Sequence, residues 1–199
     1  MSLEAQLTFL KELDKLKRVL RQTILVDGSR KENTAEHSWH ATMAALILSE
    51  YADEPVDVLR VVKMMLVHDI VEIDAGDTFA FDEAGYQDKP EREQQAAARI
   101  FGLLPAEQGD EYKALWQEFE AAQSPEARFA NAMDQIMPFL HNVWTEGAGS
   151  WKEHRITLEQ VLPRYEQRIG VGSSALWKYV QRLLDKATRN GWLISDDKT

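Results

Sequence analysis

The sequence predicts an all-α protein, and three of its features lead there. Leu7, Leu10, Leu13, Leu16, Val19 and Leu20 recur at spacings of three and four along residues 3–21, the period of an amphipathic helix. Helix-start signals follow one another down the chain. No segment alternates apolar and polar residues in the way a half-buried strand does. With 199 residues and 44% hydrophobic content, the chain is long enough for one sizeable core. No internal repeat, low-complexity tract or long linker divides it, so residues 1–199 are read as a single compact multi-helix domain.

The elements follow in order. Residues 3–21 make the first helix. Residues 22–33 (QTILVDGSRKEN) are a connector that turns at Asp27-Gly28. Asn33 with Glu36 three residues on is a capping-box pattern. The second helix therefore starts at 33 or 34, runs to about Tyr51, and is apolar on most sides, which makes it central. Pro55 opens a third helix that reaches Val71 or beyond. Residues 74–88 (DAGDTFAFDEAGYQD) hold no helical period and read as a long loop, a kind of segment that is often functional. Pro90 suits the first turn of a fourth helix, 90–104, and Pro105 starts a fifth. Ser124-Pro125 pairs an N-cap with a first-turn proline for a sixth, 125–146, which the stretch Gly147 to Ser150 ends. Pro138 lies inside it and cannot bond the carbonyl of residue 134, so a loosening or kink is expected there. Helices at 152–168 and 174–190 complete the chain.

Composition removes several classes of function. A formal net charge of −10 repels a nucleic-acid backbone, so no nucleic-acid polymer is expected as a partner. The chain has no cysteine, which excludes disulfides, thiolate ligands and a cysteine nucleophile. Any metal must bind through His, Asp or Glu. No apolar run approaches the roughly 20 residues that span a bilayer. The N-terminus lacks the basic and apolar regions of a signal peptide. A cytoplasmic protein without a membrane partner is expected.

The chemistry gathers around His68-Asp69, which follows the apolar run Val61, Val62, Met64, Met65, Leu66 and Val67. An acid so placed is costly unless paired or metal-bound. Adjacent residues on a helix lie about 100° apart, so both side chains can lean toward one ion beside it. Imidazole and carboxylate together suit a first-row divalent metal. Alone, the dipeptide reads better as a core histidine and a capping aspartate. His37, in Glu36-His37-Ser38, and Asp134, in the apolar stretch Ala130 to Ile136, change that balance. They place His, His-Asp and Asp on three mostly buried helices.

The order His, His-Asp, Asp with these flanks resembles the HD-domain superfamily of metal-dependent phosphohydrolases, and most closely its 5′-deoxynucleotidase branch. The matching stretches are LKRVLR (16–21), ENTAEHS (32–38), HDIVEIDAGD (68–77) and LWQEFEAAQSPEARFANAMDQ (115–135), spread over the first two-thirds of the chain. The resemblance implies an HD-domain fold and one divalent transition metal ion per chain (Mn, Co, Zn, Fe or similar) held by His37, His68, Asp69 and Asp134. It implies catalysis by Glu72, with Asp77 both catalytic and binding the phosphate or a metal-bound water. Glu72 lies four residues after His68, on the same helix face, where a carboxylate can move a proton to or from the reacting oxygens. The substrate phosphate falls to Arg21, with Arg18 as second choice. A guanidinium fork binds phosphate in a way an ammonium does not. Some branch members carry a Trp directly after that Arg, and here the residue is Gln22, so selection against ribonucleotides is open.

The expected activity is a metal-dependent phosphomonoesterase acting on nucleoside or deoxynucleoside 5′-monophosphates. The alternatives are another HD activity, such as a phosphodiesterase or nucleotide triphosphohydrolase, and a non-catalytic regulator stapled by metal. A staple needs only the ligands, and the retained Glu72 and Asp77 speak against it. The expected partner is a small nucleotide or phosphate ester, with a homodimer suggested by Trp177 and Trp192 on the C-terminal helices. His40, His141 and His154 are left outside the ligand set. Lys89, Arg92 and Glu93 read as a solvated helix start.

Overall fold

The computed structural model describes residues 2–194. Helices dominate them. In chain order they are α1 (Ser2–Leu13), α2 (Thr34–Ile47), α3 (Val58–Val67), α4 (Glu72–Ala75), α5 (Lys89–Phe101), α6 (Ala106–Ala121), α7 (Pro125–Trp144), α8 (Ser150–Glu153), α9 (Leu158–Tyr165) and α10 (Ser174–Arg189). A two-stranded antiparallel hairpin, β1 (Leu20–Ile24) and β2 (Lys31–Asn33), stands between α1 and α2. None of these helices is long and apolar enough to cross a membrane.

The centre is α2, α3 and α7 packed on one another. Their contact faces bury Ala41, Ala45, Met64, Met65, Phe129 and Phe139. The cluster is continuous from Phe9 to Leu193 and takes in Trp116 and Trp151. Local chemistry sets the helix starts. Asn33 accepts from the Glu36 amide and Glu36 accepts from the Asn33 amide, the capping box that the sequence announces. Ser124 caps α7 by accepting from the Ala127 amide. α7 runs unbroken through Pro138, and the Asn142 side chain donates to the Pro138 carbonyl at 2.9 Å.

The structure corrects five local expectations. The helix at 3–21 ends at Leu13, tightens into a 3₁₀ turn over Asp14–Arg18, and becomes β1. Leu7 and Leu10 are exposed, and α1 docks instead through Phe9. The connector 22–33 is a hairpin, with Leu20 opposite Asn33 and Ile24 opposite Lys31 around an irregular register; the turn at Asp27-Gly28 holds, with Gly28 at φ 72. Pro55 does not open α3. Asp57 does, accepting from the Leu59 and Arg60 amides. The helix expected over 152–168 divides into α8 and α9, with Arg155 at φ 54 in the break and Thr157 capping the new start. Finally, the C-terminal aromatics turn inward. Trp192 is buried and Trp177 packs on the core, while Trp39 and Trp144 are the exposed tryptophans.

Gly172 is required by close approach. A Cβ on Gly172 would stand 2.4 Å from the carbonyl oxygen of Arg128, so only glycine lets the chain before α10 lie against α7.

Candidate metal centre

Three helices converge on one point. His37 comes from the first turn of α2, Asp134 from the middle of α7, and His68 with Asp69 from the end of α3. His68 caps α3 and is still in helical conformation, and tighter turns carry the chain into α4. Nε2 of His37 lies 2.8 Å from Oδ1 of Asp134. Nε2 of His68 lies 3.1 Å from Oδ2 of Asp69 and 3.5 Å from Oδ1 of Asp134. One donor atom from each of the four residues falls within 4.8 Å of the others.

His68 tests whether these residues fit an ion. Its Nδ1 is 2.8 Å from the Met65 carbonyl, which accepts the ring proton and leaves Nε2 as the coordinating nitrogen. Nε2 is buried without a hydrogen-bond partner, although two carboxylate oxygens stand close by. They lie off the direction in which a proton on Nε2 would point. A bare nitrogen facing two carboxylates in a buried place calls for a cation, and the donors are those a divalent first-row metal takes. Burial disfavours the imidazolium of His68, yet Asp69 and Asp134 raise it well above its ordinary value. Burial and the charge of Arg21 push His37 down to about 4. Burial also works against the Asp69 carboxylate, but His68 and Arg21 hold it down at about 2.

A second layer of charge surrounds this point. Arg21 reaches in from β1, with Nη1 at 3.0 Å from Oδ2 of Asp69, 3.7 Å from Asp77 and 4.0 Å from Glu72. Its Nε stands 4.0 Å from Glu32. Glu72 begins α4 and accepts from the Thr34 hydroxyl at 2.8 Å. Burial, followed by Asp69 and Asp77, raises Glu72 well above the usual carboxylate range. Asp77, after Gly76 at φ 76, is raised as well, chiefly by burial.

The structure thus brings together His37, His68, Asp69, Glu72, Asp77, Asp134 and Arg21. It leaves Arg18 outside, exposed at the end of the 3₁₀ turn and away from the pocket lining. Arg21 is on a strand rather than at a helix end, which is why it points inward while Arg18 does not.

The pocket around these residues also uses side chains that the sequence left unassigned. Lys89 lines it and pairs with the buried Glu93 at 2.8 Å, so the start of α5 is not a solvated one. Arg92 donates to the carbonyls of Ala75 and Gly85, and Arg164 to that of Ala80, pinning the segment 76–88 as one wall. Phe79 and Phe81 stand on that wall. Gln22 accepts from Nζ of Lys31 at 2.6 Å and pairs with His154 at 3.3 Å. The basic residues bind wall and pocket through tertiary contacts that no spacing announces.

The chain belongs to the HD-domain family, whose model matches residues 13–177. Among curated proteins it is 32% identical over 135 residues to the 5′-deoxynucleotidase HDDC2 of Homo sapiens, covering 67% of this chain and 65% of that one. It is 30% identical over 133 residues to the 5′-deoxynucleotidase hdd1 of Schizosaccharomyces pombe, covering 64% and 66%. The match thus spans about two-thirds of the length of these relatives. A crystal structure described as a predicted metal-dependent phosphohydrolase from Magnetospirillum magnetotacticum superposes with a TM-score of 0.92 at 55% identity, covering 98% of this chain and 96% of that one. A conserved hypothetical protein from Pyrococcus furiosus shares the fold, with a TM-score of 0.61 at 20% identity, over 92% and 99%.

Proposed function

We propose that the whole chain is one domain and a metal-dependent phosphomonoesterase acting on (deoxy)nucleoside 5′-monophosphates, with His37, His68, Asp69 and Asp134 holding one divalent ion. The observation that carries this is the buried, unpartnered Nε2 of His68 facing Asp69 and Asp134, beside the Arg21 guanidinium and the buried Glu72 carboxyl. The names of the similar proteins support the same chemistry. A bound ion would lower the pKa of its water and screen the phosphate charge. Arg21 uses one edge of its guanidinium on Asp69 and keeps further N–H groups for phosphate oxygens. Glu72, whose carboxyl is raised well above the usual carboxylate range by burial, delivers a proton to the leaving 5′-oxygen. Asp77, 3.7 Å from Arg21, holds the guanidinium toward the phosphate. Phe79 and Phe81 supply apolar surface for the nucleoside at the pocket wall.

A panel of phosphate esters, assayed with added Mn or Co and after chelation, tests the proposal. Deoxynucleoside and nucleoside monophosphates should be hydrolysed, and chelation should abolish turnover until metal is returned. Faster cleavage of diesters or triphosphates would replace the proposal with another HD activity, and no turnover of any ester would leave a metal-stapled regulator. Two copies are proposed to pair through α2, where Trp39, Met43 and Ile47 recur every four residues and are exposed; sedimentation at several concentrations reads this.

A further inference from the structure

A second set of metal-binding side chains shares no member with the first. Glu32 on β2, His40 on α2 and His141 on α7 each offer a donor atom, and the three atoms lie within 4.8 Å of one another. Nδ1 of His141 is 3.1 Å from the Ile24 carbonyl, which takes the ring proton and leaves Nε2 as a bare lone pair. That nitrogen faces Nδ1 of His40 at 3.4 Å. The separation is long for a hydrogen bond between imidazoles. It matches two nitrogens on one tetrahedral ion, since Zn–N bonds of roughly 2.05 Å at the tetrahedral angle hold their nitrogens about 3.4 Å apart.

Glu32 supplies the charge such an ion needs. Its residue is 3% exposed, and the nearest basic nitrogens, Nδ1 of His37 at 3.8 Å and Nε of Arg21 at 4.0 Å, lie beyond hydrogen-bonding range. A buried carboxylate in that position is costly without a closer partner. Burial lowers both His40 and His141, which keeps them neutral and free to coordinate. His40 is half-buried and opens the fourth position to water.

We propose that Glu32, His40 and His141 hold a second divalent transition-metal ion of the zinc class, separate from the centre built on His37, His68, Asp69 and Asp134. The ion ties the hairpin to α2 and α7, and so fixes the strand that carries Arg21.

The test counts ions without using turnover. Wild-type protein, His40→Ala, His141→Gln and Asp69→Ala are dialysed against Zn²⁺, separated from free metal and analysed for zinc, with circular dichroism as a check on folding. His40→Ala removes a half-exposed side chain and keeps the fold even where His141→Gln does not. Each histidine variant should hold one zinc fewer than the wild type. Asp69→Ala should retain the second ion, and zinc should raise its melting temperature but not that of Asp69→Ala/His40→Ala. An unchanged zinc count in His40→Ala overturns the inference. Loss of phosphatase activity would bear on the proposed function alone, and the zinc count would stand apart from it.

Discussion

Replacing Glu72 by glutamine keeps the size of the side chain and the oxygen that accepts from Thr34 at 2.8 Å. Because burial, Asp69 and Asp77 raise Glu72 well above the usual carboxylate range, its surroundings already favour the neutral form that the amide imitates. The stability cost is therefore small, within about 1 kcal/mol. The metal ligands are untouched, so metal content should stay at the wild-type value. Turnover should not. Loss of a positioned proton donor lowers kcat by about 10²–10⁴, or roughly 3–5.5 kcal/mol in the barrier at about 1.4 kcal/mol per decade. The pH profile gives a second readout. Wild-type kcat should fall as pH rises through the raised pKa of Glu72, where the proton is lost, and that alkaline limb should vanish in Glu72→Gln. Phosphate release from saturating dAMP, with elemental analysis and a thermal melt on the same sample, measures all three. A variant that keeps its metal and turns over within about threefold of wild type would show that Glu72 moves no proton in the reaction.

Three further outcomes are expected. Asp69→Ala removes a ligand and with it the stabilisation of the folded state by the catalytic ion, about 2.7 kcal/mol at a hundredfold excess of metal over Kd; its melting temperature in Mn²⁺ should fall by about 5–10 °C for a chain of this size, and an unchanged melt would place the ion elsewhere. Gln22 is held by Lys31 and His154 beside the pocket and can satisfy a 2′-hydroxyl, so Gln22→Trp should raise the ratio of kcat/KM for dAMP over AMP by about tenfold, and a strong wild-type preference for dAMP would assign that selection to another residue. Glu36 is held at about 2, first by its hydrogen bond to Arg30. A lowered carboxylate contributes stability above its unfolded pKa near 4.5 that is lost as pH falls toward 2. Since the pair is solvent-exposed the effect is below about 1 kcal/mol, and Arg30→Gln should flatten the acid limb of a denaturation series by that amount.

The parts of the fold that the sequence announces are those governed by local chemistry. Asn33 with Glu36, Ser124 with Pro125, and Pro90 each mark a helix start within a residue or two of where it falls. The hairpin escaped notice because β2 has three residues and β1 does not alternate in burial, so neither carries the two-residue period that betrays a strand. α1 misled in the opposite sense, because its regular leucines are the exposed ones. The quartet His37, His68, Asp69 and Asp134, which the fold brings to one point, was legible because acids and histidines inside apolar helices stand out against their neighbours. Arg21 was placed by resemblance and Arg18 wrongly joined to it, since a helix would have presented both, whereas the strand turns only Arg21 inward. Lys89, Arg92 and Arg164 were beyond reach, because their partners are backbone oxygens or buried groups brought close only by packing.

The wall of the pocket is fastened in an unusual currency. Arg92 and Arg164 grip it by main-chain oxygens, at Ala75 just before the segment 76–88 and at Gly85 and Ala80 within it. Any amino acid presents such an oxygen, so these holds do not depend on which side chains the segment displays. Phe79 and Phe81 also pack on the core and Arg164 donates to the Tyr86 hydroxyl at 3.4 Å, but the main-chain holds remain when those side chains are exchanged. A lineage carrying this scaffold can revise what its pocket recognises without first finding a new way to fold the loop. Among relatives that keep the two arginines, substrate preference should diverge faster along this stretch than the path of the backbone does.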